Sequence, residues 1–270
     1  MSDDLLAAVR QGTRTIDLAQ PLFTGMPSSP NHPGFRMTLI RRHGDMVRPD
    51  GGSAANEIII TGGHVGTHVD ALAHVSHEGR LHGGVDAGEA TVNGRFAEHG
   101  IDRMDPLVRR GVLLDVAAAH GVECLRPGYG ITAADLEKAA GHAGAEPGPG
   151  DVALLRTGWA TRFDDADAYL GQRDGVPGAT EEAAHWLAQR GIAAAGADTT
   201  AFEHIVAGAG HSVLPVHRIL LVEHGIHIIE HMRLEELAAE GISEFVFVLS
   251  PLKIVGGTGS PVRPLAVVRA

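Results

Sequence analysis

The stretch GGHVGTHVDALAHVS, residues 62–76, concentrates metal-capable side chains among small and β-branched residues. Four such side chains follow one another at spacings of 4, 2 and 4 residues: His64, His68, Asp70 and His74. Neutral imidazole and carboxylate groups suit zinc, manganese or iron at neutral pH. A single helix would turn Asp70 away from the face shared by His64 and His68. A straight strand would hold His64 about 33 Å from His74, at about 3.3 Å per residue. The four side chains therefore converge only if the chain bends.

Glycine residues make that bend possible, because a residue without a Cβ adopts turn and bulge conformations readily. The stretch contains three of them: Gly62, Gly63 and Gly66. Before it, NEIII at residues 56–60 predicts a strand, and after it DALAHVS can begin a helical turn that places Asp70 and His74 at positions i and i+4. We therefore predict a metal site on a bent segment at a strand end. The residues alone leave an alternative open, a histidine-rich surface loop or histidines that bond backbone carbonyls, since the chain contains 17 histidines.

A second segment rich in histidine and glutamate, PVHRILLVEHGIHIIEHM at residues 215–232, offers further ligands. Glu230 follows the apolar run IHII, at a strand end where a carboxylate can face a cleft. His217 begins a predicted helix whose apolar residues indicate packing against a sheet. His227 alternates with isoleucines and is predicted to face solvent.

Apolar strands alternate with amphipathic helices through the middle of the chain. GVLLDV, DVALLRT and IAAAGADT are short apolar runs typical of buried strands, and Thr132 and Thr180 are predicted helix N-caps. Further strands are predicted in TIDLAQPL, FRMTLIRR, NEIII, IHIIE, EFVFVLSPL and RPLAVVRA, and further helices in DDLLAAVRQG, VHRILLVEHG and RLEELAAEG. This alternation indicates a mixed α/β fold with a covered sheet, organised as a single domain over residues 1–270.

Composition narrows the possible partners. The 270 residues are 44% hydrophobic and 20% charged, and the formal net charge is −11. This acidic balance argues against nucleic acid and anionic membrane surfaces, because phosphate groups attract basic surfaces. No apolar run approaches the about 18 residues of a membrane span. The single cysteine, Cys124, excludes an internal disulfide. Because MSDDLLAAVRQG lacks a signal-peptide pattern, we expect a cytoplasmic protein. With nucleic acid and membranes disfavoured, its expected partner is a small molecule.

The segment HVGTHVDALAHV, residues 64–75, resembles the His-x-Gly-Thr-His-x-Asp-x-x-x-His signature of the cyclase family of metal-dependent hydrolases, which includes bacterial kynurenine formamidase and isatin hydrolase. The resemblance extends over nearly the whole chain, through IDLAQPLFTGMPSSPNHPGF, LLRTGW, GADTTAFE, VHRILLVEHGIHIIEHM and PLKIVGGTGSPVRPLAV. It implies a compact, swivelling β/β/α fold and a homodimer or homotetramer. Leu72 stands where the formamidases carry proline, which indicates a different branch.

The resemblance also implies roles for individual residues. His74 would be the catalytic proton donor and acceptor. The cofactor would be Zn²⁺ or Mn²⁺, with one or two ions per chain, held by five residues: His64, His68, Asp70, His217 and Glu230. The interval of 13 residues between His217 and Glu230 is one residue longer than in the formamidases.

These residues and the resemblance together predict hydrolysis of a C–N bond in an amide, formamide or cyclic amide. A metal ion held there would acidify a water molecule and polarise the carbonyl, and His74 would transfer the proton to the leaving nitrogen. Two alternatives remain open. One is a metal-dependent lyase or cyclase that acts on a small carbonyl compound with His74 as base. The other is a non-catalytic metal-binding or ligand-binding protein of the same fold. A serine nucleophile is not indicated, because the sequence contains no Gly-x-Ser-x-Gly motif.

The substrate pocket is the least determined feature. Phe35 and Thr67 are predicted to contact the substrate, Phe35 as a pocket wall beside a proline-rich loop. That loop reads SSPN where the formamidases carry an aromatic residue, which indicates a roomier or more polar pocket.

Overall fold

A computed structural model describes residues 2–210 and 212–270 of the chain. The strands, in chain order, are Thr13–Asp17 (β1), Arg36–Arg41 (β2), Asn56–Ile60 (β3), His68–Asp70 (β4), Thr91–Val92 (β5), Arg95–Phe96 (β6), Leu107–Asp115 (β7), Gly130–Ile131 (β8), Val152–Arg156 (β9), Gly178–Ala179 (β10), Ala194–Ala197 (β11), His227–Glu230 (β12), Glu244–Leu249 (β13), Gly259–Pro261 (β14) and Leu265–Arg269 (β15).

The α-helices are short. They are Ser2–Gln11 (α1), Ala87–Ala90 (α2), Val116–Ala119 (α3), Ala133–Ala143 (α4), Ala166–Leu170 (α5), Glu181–Gln189 (α6), Pro215–His217 (α7) and Glu235–Ala239 (α8). Single 3₁₀ turns occupy His82–Gly84, Ile101–Arg103 and Trp159–Arg162. No helix within residues 2–210 and 212–270 is both long and apolar enough to cross a membrane.

A mixed sheet of nine strands forms the centre of the fold, in the order β1-β15-β13-β7-β9-β11-β12-β4-β14. Strands β7, β9, β11 and β12 run parallel, and the strands on either side of them pair antiparallel. The parallel part is covered on both faces, which explains why the sequence there is continuously apolar. In β9, Ala153 and Leu155 pack into one core cluster, while Val152 and Leu154 pack into another on the opposite face.

The two longest helices of the middle region begin where the sequence predicts. The Thr132 side chain accepts a hydrogen bond from the Asp135 amide, and Asp135 in turn accepts one from the Thr132 amide, which forms a capping box at the start of α4. The Thr180 side chain caps α6 in the same way by accepting a hydrogen bond from the Ala183 amide. Both helices contribute to the core cluster on one face of the sheet.

Strands β2 and β3 depart from the expected arrangement. The alternation in FRMTLIRR is typical of a strand with one buried face, but β2 pairs only with β3, in a separate two-stranded sheet. Every residue of both strands is exposed. We call this hairpin, residues 36–60, the β2–β3 arm.

The helix predicted over residues 216–225 begins at Pro215 and changes type after His217. Residues Arg218–Glu223 form a π-helix, in which the amide of His224 donates to the carbonyl of Ile219, five residues earlier. The wider turn buries Ile219, Leu220 and Leu221 against the sheet and ends just before β12.

Candidate metal centre

Three short strands place the first ligands of the site. β12 and β14 flank β4, with Glu230 paired opposite His68 and Gly259 paired opposite Asp70. Side chains on a strand alternate between faces, so His68 and Asp70 point to the same side. A residue directly opposite in a neighbouring strand shares that side, so Glu230 joins them. The sheet register therefore assembles two carboxylates and one imidazole on one buried face.

The bend predicted before β4 is present at Gly66, whose φ is +64°. A Cβ on this residue would lie 2.4 Å from Leu22 Cδ2, so both the conformation and the packing require glycine. After β4 the chain turns back, because the amide of His74 donates to the carbonyl of Ala71. The His74 ring consequently stacks on the His64 ring, with 3.9 Å between their centroids.

Two imidazoles each contact both carboxylates of this group, on different oxygens. His68 Nε2 lies 3.6 Å from Asp70 Oδ1 and 3.3 Å from Glu230 Oε2. His217 Nε2 lies 3.6 Å from Asp70 Oδ2 and 3.3 Å from Glu230 Oε1. Ligands at about 2.0–2.2 Å from a tetrahedral ion are separated by about 3.3–3.6 Å from one another. The separations observed here match that spacing.

Two oxygens in this group point to a cation. Asp70 Oδ2 and Glu230 Oε1 are buried and receive no hydrogen bond of good geometry from any residue that the structure describes. Burying unpartnered carboxylate oxygens costs free energy unless a positive charge faces them. Asp70, His217 and Glu230 together offer one ligand atom each within 4.8 Å of one another, as do His68, Glu230 and His231. The residues therefore fit a bound divalent ion.

Hydrogen bonds on the far side of each imidazole set its orientation. His68 Nδ1 donates to the carbonyl of Gly66 at 2.7 Å, and His217 Nδ1 donates to Glu203 Oε1 at 2.5 Å. With the proton on Nδ1, the lone pair of each Nε2 faces the two carboxylates, which is the tautomer that a metal ligand needs. Glu203 also accepts hydrogen bonds from the amides of Val216 and His217.

When no cation occupies this centre, the neighbouring charges shift the pKa values of its four side chains. Burial alone would lower the pKa of His68, but its contact with Glu230 raises it. Burial also opposes charge on His217, yet Glu203 and Glu230 raise its pKa well above the ordinary value. Burial would raise the pKa of Glu230, but His217 and His68 lower it to about 2. Against the same burial effect, His74 and His64 hold the pKa of Asp70 well below its usual range.

His64 and His74 lie beside this group rather than in it. His64 Nδ1 donates to Asp70 Oδ1 at 2.7 Å, and its Nε2 accepts from the Thr258 hydroxyl at 3.0 Å. Together with Asp70 the two histidines form a further set of metal-capable groups. Burial lowers the pKa of His74 to about 4, against the opposing effect of Asp70, so this imidazole is neutral at neutral pH. Both rings line a small cavity that also contains Glu230.

The structure thus brings six of the predicted site residues together: His64, His68, Asp70, His74, His217 and Glu230. The two predicted substrate contacts lie elsewhere. Phe35 is buried in a hydrophobic cluster with Met26 and Val65 and does not line the cavity. Thr67 donates its hydroxyl proton to the His231 carbonyl and accepts from the Gln20 amide, so its polar groups serve the fold.

His227 was predicted to face solvent, and this is wrong. Its Nδ1 bonds the Asp70 carbonyl oxygen at 2.8 Å, because β12 lies next to β4 in the sheet. The alternation with isoleucines correctly indicates a strand. It cannot reveal that the neighbouring strand brings the Asp70 carbonyl within reach of the His227 ring.

Three residues of the site were not assigned a role from the sequence. His231 is buried beside His68 and adopts a φ of +55°, which turns its side chain back toward the centre. His32 stacks on His64 at 5.2 Å, and Glu203 holds His217. The position of His231 directly after Glu230 was an available signal. His32 and Glu203 lie far away in sequence from the residues they contact, so spacing alone could not find them.

A buried pair of carboxylates between two imidazoles, at the edge of a mixed sheet and next to a cavity, defines a metal-binding enzyme site. The Cyclase family model matches residues 16–204 of this chain. The chain therefore belongs to the Cyclase family, and the mixed α/β fold predicted from the sequence is confirmed.

Individual relatives support the same assignment. Isatin hydrolase from Roseibium aggregatum is 28% identical over 228 residues, which cover 81% of this chain and 77% of that protein. A crystal structure of a novel cyclase is 29% identical with a TM-score of 0.85, covering 98% of this chain and 93% of that one. Isatin hydrolase A from Ralstonia solanacearum is 25% identical with a TM-score of 0.76, covering 99% and 97%. These relatives support a hydrolase of the family.

Proposed function

We propose that this protein is a metal-dependent hydrolase that cleaves the C–N bond of an amide, formamide or cyclic amide in a small molecule. One observation carries the proposal. Two buried carboxylates with unsatisfied oxygens lie between two correctly oriented imidazoles, and a neutral imidazole lines the same cavity. The similarity to isatin hydrolases supports hydrolysis of a cyclic amide in particular.

The ion would be Zn²⁺ or Mn²⁺, both of which accept imidazole and carboxylate ligands. His68, Asp70, His217 and Glu230 would hold it. His64 remains a predicted ligand of a second ion, because it forms a further metal-capable group with Asp70 and His74. Such an ion, when bound, acidifies a water molecule and polarises a carbonyl oxygen. Whether one ion or two are bound depends on whether the group around His64 is filled as well.

His74 is the residue that we propose moves the proton. Its imidazole is neutral, so a ring nitrogen can accept a proton from the attacking water and then donate it to the leaving nitrogen. Stacking against His64 holds the ring in place, and His217 lies 6.1 Å away between ring centroids. His74 therefore lies beside the proposed metal ligands but is not itself one of them.

We also propose that the protein is a homodimer or homotetramer in which a second copy covers the β2–β3 arm. An isolated two-stranded hairpin is marginally stable in water. This arm exposes large apolar side chains on both faces, including Ile40 at 64%, Ile59 at 55% and Ile60 at 56%. Obligate homodimer interfaces are larger and more apolar than transient ones, which matches this composition.

Metal content per chain tests the proposed centre. The purified protein is expected to hold about one or two equivalents of zinc or manganese, and the Asp70→Asn variant is expected to lose the metal together with hydrolysis of a formamide and cyclic amide panel. His77→Gln serves as the matched control, because His77 lies in the same segment but is exposed. Full metal content in Asp70→Asn, or no metal in the wild type after reconstitution, would contradict the proposal.

A further inference from the structure

The centre borders two cavities that share part of their lining. Its own cavity, about 30 Å³, holds little more than a water molecule. Ser29 and Thr200 line this cavity and also line a neighbouring cavity of about 360 Å³. Small-molecule pockets span roughly 300–1,000 Å³, so the outer cavity suits one small ring. The cavity of the centre is too small for a whole substrate. When the reacting carbonyl lies at the centre, the outer cavity has room for the rest of the molecule.

The outer cavity is uncharged, and its lining combines polar side chains with the apolar side chains of Leu170 and Ile205. Ser29 and Thr200 form its buried inner end, and the carboxamides of Asn31 and Gln172 stand at its exposed mouth. Among the lining residues that the structure describes there is no Lys, Arg, Asp or Glu, and no aromatic ring. Arg173 lies next to Gln172 in sequence, but its guanidinium is paired with Asp174 beside a different hollow.

This lining selects by charge and by shape. A carboxylate on the substrate would leave water without meeting a cation in the outer cavity, which costs free energy. A carboxamide offers both a donor and an acceptor, so Asn31 and Gln172 match a ring edge that carries both C=O and N–H. The two glycines and one alanine at 208–210 leave room but provide no flat surface for stacking an aromatic ring.

From this lining, and resting on the proposed function, we infer that the substrates are small, uncharged, non-aromatic cyclic imides or ureides. The ring enters with its polar edge at Asn31 and Gln172, and the opposite carbonyl reaches the centre through the opening between Ser29 and Thr200. Hydrolysis would break one ring C–N bond, form a C–O bond from water and transfer a proton to the nitrogen. The product is an open-chain amide or ureide that carries a new carboxylate.

The test compares two rings that differ by one charged substituent, dihydrouracil and its 6-carboxylate analogue. We expect kcat/KM for the neutral ring to be at least about tenfold higher. Gln172→Lys places a cation at the cavity mouth and is expected to reduce this ratio about fivefold or more, mainly through a lower KM for the carboxylate ring. Gln189→Lys makes the same change at an exposed position at the end of α6 and is expected to leave the ratio unchanged.

Calorimetric binding of both rings to the metal-loaded His74→Gln variant separates this inference from the proposed reaction. Tighter binding of the neutral ring, with no hydrolysis by the wild type, would support the inference and overturn the proposed hydrolysis. Equal or tighter binding of the carboxylate ring, binding of neither ring, or a preference that Gln172→Lys does not move would overturn the inference. Isatin adds an aromatic comparison, and a higher kcat/KM for isatin than for dihydrouracil would also overturn it.

Discussion

Charged side chains are normally exposed and large apolar side chains normally buried. The metal centre and the β2–β3 arm depart from this rule in opposite directions. At the centre, ionisable groups such as Asp70 and Glu230 are buried, whereas in the arm Ile59 and Ile60 are more than half exposed. Burying charge and exposing large apolar side chains both cost free energy in an isolated chain. The difference points to the kind of partner that we propose for each region. Buried acceptor oxygens favour a bound cation, and an exposed apolar hairpin favours contact with another protein surface.

The two regions also differ in how firmly the chain holds them. The centre is fixed by the sheet register of β4, β12 and β14 and by hydrogen bonds behind each imidazole. The arm is paired only within itself. We therefore expect the geometry of the centre to persist without its partner. The order of the arm is expected to depend more strongly on its partner.

The largest expected effect separates proton transfer from ion binding at the centre. His74→Gln is expected to lower kcat by about 10²–10⁴-fold, because it removes the general acid and base. Metal content should be unchanged, since His68, Asp70, His217 and Glu230 remain. Steady-state kinetics and elemental analysis of the same preparation check both parts. Loss of metal in this variant would make His74 a ligand instead.

Charge in the arm is expected to have the next largest effect. Ile60→Asp buries a carboxylate in the proposed interface and should weaken self-association by about 100-fold or more, as at other interface hot spots. Light scattering across a concentration series measures this. Val122→Asp is the control, because Val122 is similarly exposed, at 44%, but lies outside the arm. A wild-type protein that is monomeric at every concentration would refute the assignment.

A smaller effect, on metal affinity, is expected for Glu203, which holds the far side of the His217 ring. Glu203→Gln weakens the acceptor for His217 Nδ1 and should reduce metal affinity by about 10–100-fold. Competition with a chromogenic chelator gives the affinity without relying on turnover. Glu181→Gln is the matched control, since Glu181 pairs with neighbouring Arg218 at the surface. Equal affinities in the two variants would show that Glu203 does not position the ligand.

The smallest expected effect is the pH dependence of stability. His68 and His217 have pKa values raised above the ordinary 6.5 in the ion-free protein. Their contribution to stability is complete below pH 6.5 and is lost as the pH rises through the raised values. The Tm of ion-free protein should therefore fall by a few degrees as the pH rises above 6.5 through these raised values. Metal-loaded protein should lose less, because the cation replaces the protons. Scanning calorimetry with and without chelator measures these Tm values, and a Tm of ion-free protein that does not fall as the pH rises would contradict the prediction.

The comparison also explains what the sequence could reveal. His64, His68 and Asp70 lie within seven residues, so their spacing and the nearby glycines were enough to predict a bent metal-binding segment. Glu230 was predictable from its place at a strand end, because the strand itself is strongly apolar. The parallel strands of the central sheet were predictable for the same reason.

Other features depend on tertiary contacts that a local pattern does not encode. His32 reaches His64 from a proline-rich loop, and Glu203 reaches His217 across 14 residues. The alternation in β2 correctly predicts a strand but carries no information on whether a sheet covers its apolar side. Thr67 looked available for substrate until the structure showed both of its hydrogen bonds made within the fold.

The π-helix at Arg218–Glu223 bears on how this chain tolerates insertions. A π turn accommodates one residue more than an α turn without lengthening the path between its ends in proportion. His217 stands directly before this turn and Glu230 lies 13 residues later, yet His217 Nε2 and Glu230 Oε1 are only 3.3 Å apart. The wide turn therefore takes up one residue of this interval without separating the two ligands. A chain one residue shorter, with an α turn at this place, is expected to hold the two ligands at the same spacing.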